Sequence, residues 1–104
     1  DLLMPRFDVY PMPGKGRAGY VVDVQADLLS HLATRVVVPL LPLAGAPPPI
    51  ADLNPVVEIE GIPLVLAVQA LAAIPLRELK RPVASLADRQ DQVTRALDTL
   101  LTGF

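Results

Sequence analysis

The sequence contains no cysteine, no tryptophan and a single histidine, and aromatic residues make up only 4% of its 104 positions. Without cysteine there is no disulfide, no thiolate nucleophile and no thiolate metal ligand. His31 stands alone, with no second histidine or acidic cluster nearby, so most hydrolytic schemes lack their parts and a solvated loop residue is expected. The shortage of aromatics leaves the core to Val, Leu, Ile and Ala. Positive charge is also scarce: 9 Lys and Arg stand against 11 Asp and Glu, a net charge of -2. A phosphate backbone would find no basic footprint here. No uncharged run exceeds the length of 61–76, which is shorter than a membrane span and is broken by Pro63, Gln69 and Pro75. The expectation is a cytoplasmic protein with no cofactor, no metal site, no membrane and no direct nucleic-acid contact.

What is present argues for a folded, β-rich chain. Hydrophobic residues reach 52% against 19% charged, and the length suits one domain. Met4 is read as the natural start, with Asp1–Leu3 as leader residues and residues 4–104 as the domain. Twelve prolines indicate frequent turns and short strands rather than long helices. The densest β signal is Gly19–Leu41. Tyr20, Val22 and Val24 share one side of an extended segment and Val21, Asp23 and Gln25 the other, since strand side chains alternate. Arg35–Leu41 supplies a second strand through its Val-Val-Val run. Pro39 donates no ladder hydrogen bond and is expected at an edge or a bulge. Between these strands, Leu28 and Leu29 read on the residues alone as core plugs, with a contact patch as the alternative.

Around this pair the remaining elements follow in order. Arg6–Tyr10 alternates as a first strand and joins the central pair through the Pro/Gly-rich stretch Pro11–Gly19. Its Gly-Lys-Gly is too short for a phosphate-cradling loop. Pro42–Pro55, with its triple proline, is a surface loop. Val56–Glu60 and Ile62–Val68 form a hairpin turning near Glu60-Gly61. Glu58 and Glu60 are an outward acidic face rather than an acid/base pair. A short strand lies around Ile74-Pro75-Leu76. At the end, Ser85-Leu86-Ala87-Asp88 fits a capping box. Leu86, Val93, Ala96, Leu97, Leu100 and Leu101 fall at helical spacing, Asp91 and Arg95 are an i,i+4 pair, and Gly103 suits a helix stop. Phe104 follows the stop; on the residues alone a fold-back as a hydrophobic cap contact is one reading of it, and its purpose stays open. The elements add up to a small mainly β barrel or curled sheet with a C-terminal α-helix.

In their order and spacing these segments resemble the CcdB toxins of bacterial toxin–antitoxin modules. The resemblance is carried by Phe7-Asp8-Val9-Tyr10, by Val22 to Leu29 (VDVQADLL) and by Arg35 to Leu40 (RVVVPL). It continues in Leu53 to Ile59 (LNPVVEI), in Leu71 to Pro75 (LAAIP) and in Val83 to Leu86 with the helix to Gly103-Phe104. It implies an SH3-like β-barrel with a C-terminal helix, assembled as a two-fold homodimer. It also implies a non-enzymatic poison that binds the DNA gyrase A subunit, traps cleaved gyrase–DNA and is neutralised by a CcdA-like antitoxin. By position, the gyrase-binding residues would be Thr102, Gly103 and Phe104, with Phe7, Ala26, Leu28, Leu29 and Asp98 in support. One departure stands out: the family's poisoning members carry tryptophan where this chain has Thr102. An aromatic anchor of that kind is worth about 2 kcal/mol or more at an interface. The alternatives are therefore a CcdB-like homodimer with a lost or altered target and, less favoured, an endoribonuclease of the MazF/Kid type, which shares the fold. The latter needs a basic groove, for which Lys15, Arg17 and Arg35 are the candidates.

Overall fold

The computed structural model describes residues 5–14 and 19–103. Among the described residues seven strands precede one α-helix: β1 (Asp8–Pro11), β2 (Tyr20–Asp23), β3 (Thr34–Pro42), β4 (Val56–Ile59), β5 (Ile62–Leu66), β6 (Ala72–Pro75), β7 (Ala84–Ser85) and α1 (Gln90–Thr102). The strands form a single antiparallel sheet in the order β4-β5-β3-β2-β1-β7, with β6 paired to β3 off this path. Val57 and Ile59 of β4 pack in the same buried cluster as Val9 of β1 and Leu86 after β7. Strands near opposite ends of the path thus share one interior, so the sheet curls into a nearly closed barrel. The expected mainly β barrel with a C-terminal helix is the fold observed.

The hairpins follow from local chemistry. At Glu60 and Gly61 the backbone takes φ of 53° and 79°. Two successive positive values are the signature of the type I′ turn, whose twist matches a tight antiparallel pair. Ile59 and Ile62 consequently face each other across it. The alternation read in β2 is also real, but both of its sides are covered. Val22 enters the main core, and Val21 joins a second cluster with Tyr10, Val37 and Leu79.

Several expectations fail for identifiable reasons. Pro39 lies in the central strand β3, not at an edge or bulge. Val24 donates to Val36, so in this register Val21↔Pro39 is a non-hydrogen-bonded pair and the proline nitrogen points away from β2. On that other side β6 pairs only as far as Val37, and β5 begins its pairing at Leu40. The missing N–H thus falls where β3 changes partners. The capping box also does not form. Ser85 is still strand, Leu86 donates its N–H to Phe7, and a 3-10 turn at Ala87–Arg89 intervenes before α1. The Ser85 hydroxyl accepts only the Ala87 N–H, at 3.1 Å. Along α1, Val93 and Ala96 are buried and Leu97 and Leu100 pack on the core, but Leu101 is 72% exposed. The apolar stripe therefore ends one residue early. Arg95 reaches Asp52 at 4.0 Å instead of pairing with Asp91. Gly103 does close the helix as expected, left-handed at φ 81°, its N–H bonded to the Thr99 carbonyl at 3.1 Å. Among the described residues no helix is long and apolar enough to cross a membrane.

Candidate protein-binding surface

The two ends of the predicted surface are built differently. The first is the link from β2 to β3. Past Asp23 the chain stays paired for one more step, Val24 donating to Val36 at 3.0 Å, then leaves the sheet through a 3-10 turn at Asp27–Leu29. That turn buries nothing. Leu28 is 86% exposed, and Ala26, Leu29, His31 and Leu32 are exposed beside it. Leu28 and Leu29 are therefore not core plugs. Val22, Val24 and Val38 belong to the buried main core, which takes no residue from the link.

Beneath the link lies a group of buried polar side chains. Asp23 and Arg35 are each 1% exposed, and Gln25 is 8% exposed. Asp23 Oδ1 accepts the Gln25 N–H at 3.0 Å, and its Oδ2 lies 3.6 Å from Arg35 Nε. Burial drives the Asp23 carboxyl up to about 6, with Asp27 and Asp8 adding to it and the Gln25 N–H and Arg35 opposing it. Burial, foremost, also pushes the Tyr10 hydroxyl up to about 12. Burial, followed by the charge of Asp27, raises Asp8. Arg6 closes the outer side, donating its backbone N–H to Asp27 Oδ1 and its Nε–H to the Val24 carbonyl, both at 2.9 Å. The Arg6 guanidinium also stacks 4.6 Å from the centre of the Phe7 ring. One signal for this group was available in the sequence. Asp23 and Gln25 fall on one side of an alternating extended segment, and Arg35 opens the next strand-forming run.

The second end is the C-terminus of α1. Asp98, Thr102 and Gly103 are exposed. The Thr102 hydroxyl donates back to the Asp98 carbonyl at 2.6 Å. Asp98 lines an open polar hollow with Asp52, Asp91, Thr94 and Arg95. Phe104 lies outside the described residues. Phe7 is placed otherwise than its neighbours in the prediction. It is buried in the main core with φ 75°, donates its N–H to Asp23 and accepts from Leu86. It therefore ties β1 to both the link and the approach to the helix. The exposed residues of the two ends sit on different elements, and their hydrogen bonds run inward to their own supports.

Chemistry of another kind finds little to work with. Among the described residues no group of three His, Cys, Asp or Glu side chains is placed to hold a metal. Glu58 and Glu60 are exposed, and Glu60 accepts the Tyr20 hydroxyl at 3.2 Å. Of the cations proposed for an RNA groove, Arg35 is buried against Asp23, and Lys15 and Arg17 lie outside the described residues. An apolar hollow of about 470 Å³ opens over the second cluster, lined by Met12, Val21, Val37, Pro39 and Ile74, with Glu78 as its one acidic residue.

Comparison with known proteins agrees with this architecture. Among solved structures the fold is similar to the Mycobacterium tuberculosis toxin MazF-mt6, with a TM-score of 0.68 at 16% identity, covering 91% of this chain and 94% of that one. No curated protein sequence matches the chain. The family model described as CcdB protein matches residues 6–103, nearly the whole length. The chain belongs to the CcdB family, a family of toxin–antitoxin toxins.

Proposed function

We propose that the protein acts by binding rather than by catalysis. As a two-fold homodimer it engages the A subunit of DNA gyrase, holds the enzyme on cleaved DNA, and is released by a CcdA-like antitoxin. The observation that carries this reading is the outward pair Leu28-Leu29, on a link that buries nothing, in a chain matched to the CcdB family from residue 6 to 103. An exposed leucine costs nothing to the fold when it is removed, and it gains most when a partner covers it. Ala26, Asp98, Thr102, Gly103 and Phe104 complete the proposed contact surface, and Phe7 supports it from the core.

Thr102 favours a second version of the same reading. Its hydroxyl is spent on the Asp98 carbonyl, and no aromatic plate stands at this position. A target matched to a threonine here differs from one matched to tryptophan, so a co-adapted gyrase or another partner is the alternative. The buried Arg35 and the net charge of -2 weigh against an RNA-cleaving role.

A gyrase–DNA cleavage assay with ATP tests the proposal, comparing the full chain with one lacking residues 102–104. Linearisation of supercoiled plasmid by the full chain only supports a gyrase poison. If neither version acts on a laboratory gyrase, Thr102→Trp decides between the versions: restored cleavage traces the loss to the missing anchor. Sequence-specific cleavage of added RNA would overturn the binding reading altogether.

A further inference from the structure

The β2–β3 link has no apolar anchor. From Ala26 to Thr34 no residue is buried. A loop of this kind ordinarily moves, because few contacts oppose its backbone entropy. Here two carbonyls of the link are held from below by side chains rooted in the barrel wall. Gln25 Nε2 donates to the Leu29 carbonyl at 2.9 Å, while its Oε1 accepts the Val36 N–H from β3 at 3.1 Å. Arg35 Nη2 donates to the next carbonyl, Ser30, at 3.0 Å. Asp23 braces both, through the Gln25 N–H and through its approach to Arg35 Nε.

Burying a charged pair is a poor way to stabilise a barrel, since desolvation offsets most of the attraction and an aliphatic pair would fill the space as well. Its return must be sought in what the pair holds. The two grasped carbonyls immediately follow Leu28, and both leucine side chains are left outside.

We infer that Gln25 and Arg35, braced by Asp23, are positioning residues that fix the Leu28-Leu29 loop in its target-binding conformation. They replace the anchoring that a buried leucine would give, so that both leucines remain available to the partner. The inference rests on the proposed role of that loop as a contact surface.

Gln25→Glu is the sharpest variant. It keeps an oxygen for the Val36 N–H at the same length but removes the donor to the Leu29 carbonyl. Arg35→Lys keeps the charge beside Asp23 and removes the planar fork that reaches Ser30. Backbone order parameters are measured by NMR on the full chain at pH 7.5. In the parent, residues 28–30 should match the rigid sheet, about 0.85, and in each folded variant they should fall below about 0.6 while β4 and β5 stay unchanged. A merely structural role would lower the melting temperature without this local loss. Unchanged order parameters at 28–30 in both variants would overturn the inference. Gyrase–DNA cleavage complexes, measured in parallel, should fall at least about tenfold in the loosened variants; parent-level cleavage with a mobile loop would also overturn it. A parent that does not act on gyrase removes the proposed function by itself, and the order parameters still decide whether the network holds the loop.

Discussion

Asp23 has a carboxylate oxygen sealed from water and 3.6 Å from a guanidinium nitrogen that it does not hydrogen-bond. Burial outweighs the attraction, and the carboxyl is raised from 3.8 to about 6. A group that holds its proton more tightly in the folded chain stabilises the fold most below its unfolded value. That contribution is therefore full below 3.8 and is lost as pH rises to about 6, beyond which it is constant. A shift of this size corresponds to at most about 3 kcal/mol. Denaturant unfolding of the parent and of Asp23→Asn should show it between pH 4 and pH 7. The asparagine keeps an acceptor for the Gln25 N–H, so the parent should lose stability relative to the variant across this window. A difference that stays flat with pH would mean that Arg35 holds Asp23 ionised throughout.

At the scale of elements, what could be read from the chain was whatever local chemistry decides. Glu60-Gly61 turned where a positive-φ pair was needed, Gly103 stopped the helix, and the alternation of β2 sorted Val22 from Val21 correctly. What failed depended on neighbours that sequence distance hides. Pro39 is tolerated in a central strand because two other strands meet opposite it, and Ser85 cannot cap a helix while it is still paired with Asp8. The alternation put Asp23 and Gln25 on one side of their segment, but nothing local says that Arg35 and a loop will cover them. Phe104 and the cations Lys15 and Arg17 fall outside the described residues. Glycine substitutions separate these two kinds of cause. Gly19 and Gly61 both have positive φ, 96° and 79°, so alanine costs about 1 kcal/mol at either. At Gly61 the added methyl meets open space, whereas at Gly19 it would lie 2.6 Å from the Leu40 carbonyl oxygen of β3. Gly19→Ala should therefore lose about 1–3 kcal/mol more than Gly61→Ala in chemical denaturation. Equal losses would show that β3 moves aside freely at this point.

Considered as a whole, the molecule keeps its stability and its proposed activity in different leucines. Leu66, on β5, is fully buried in the main core, and Leu28 is 86% exposed on the link. Truncating the first opens a cavity among close-packed neighbours, and Leu66→Ala should cost about 2–5 kcal/mol. Truncating the second removes area that the free protein never buries, so Leu28→Ala should leave stability within about 0.5 kcal/mol. Gyrase poisoning should respond in the opposite order. At a temperature where both variants are folded, Leu66→Ala should trap gyrase on cleaved plasmid close to the parent level, while Leu28→Ala should need roughly tenfold more protein. Unfolding curves and cleavage titrations on the same preparations check both halves. A Leu28→Ala protein that unfolds early would place the link within the core after all. One that unfolds normally and poisons normally would move the contact surface to the helix end, leaving Asp98, Thr102 and Gly103 to carry the binding.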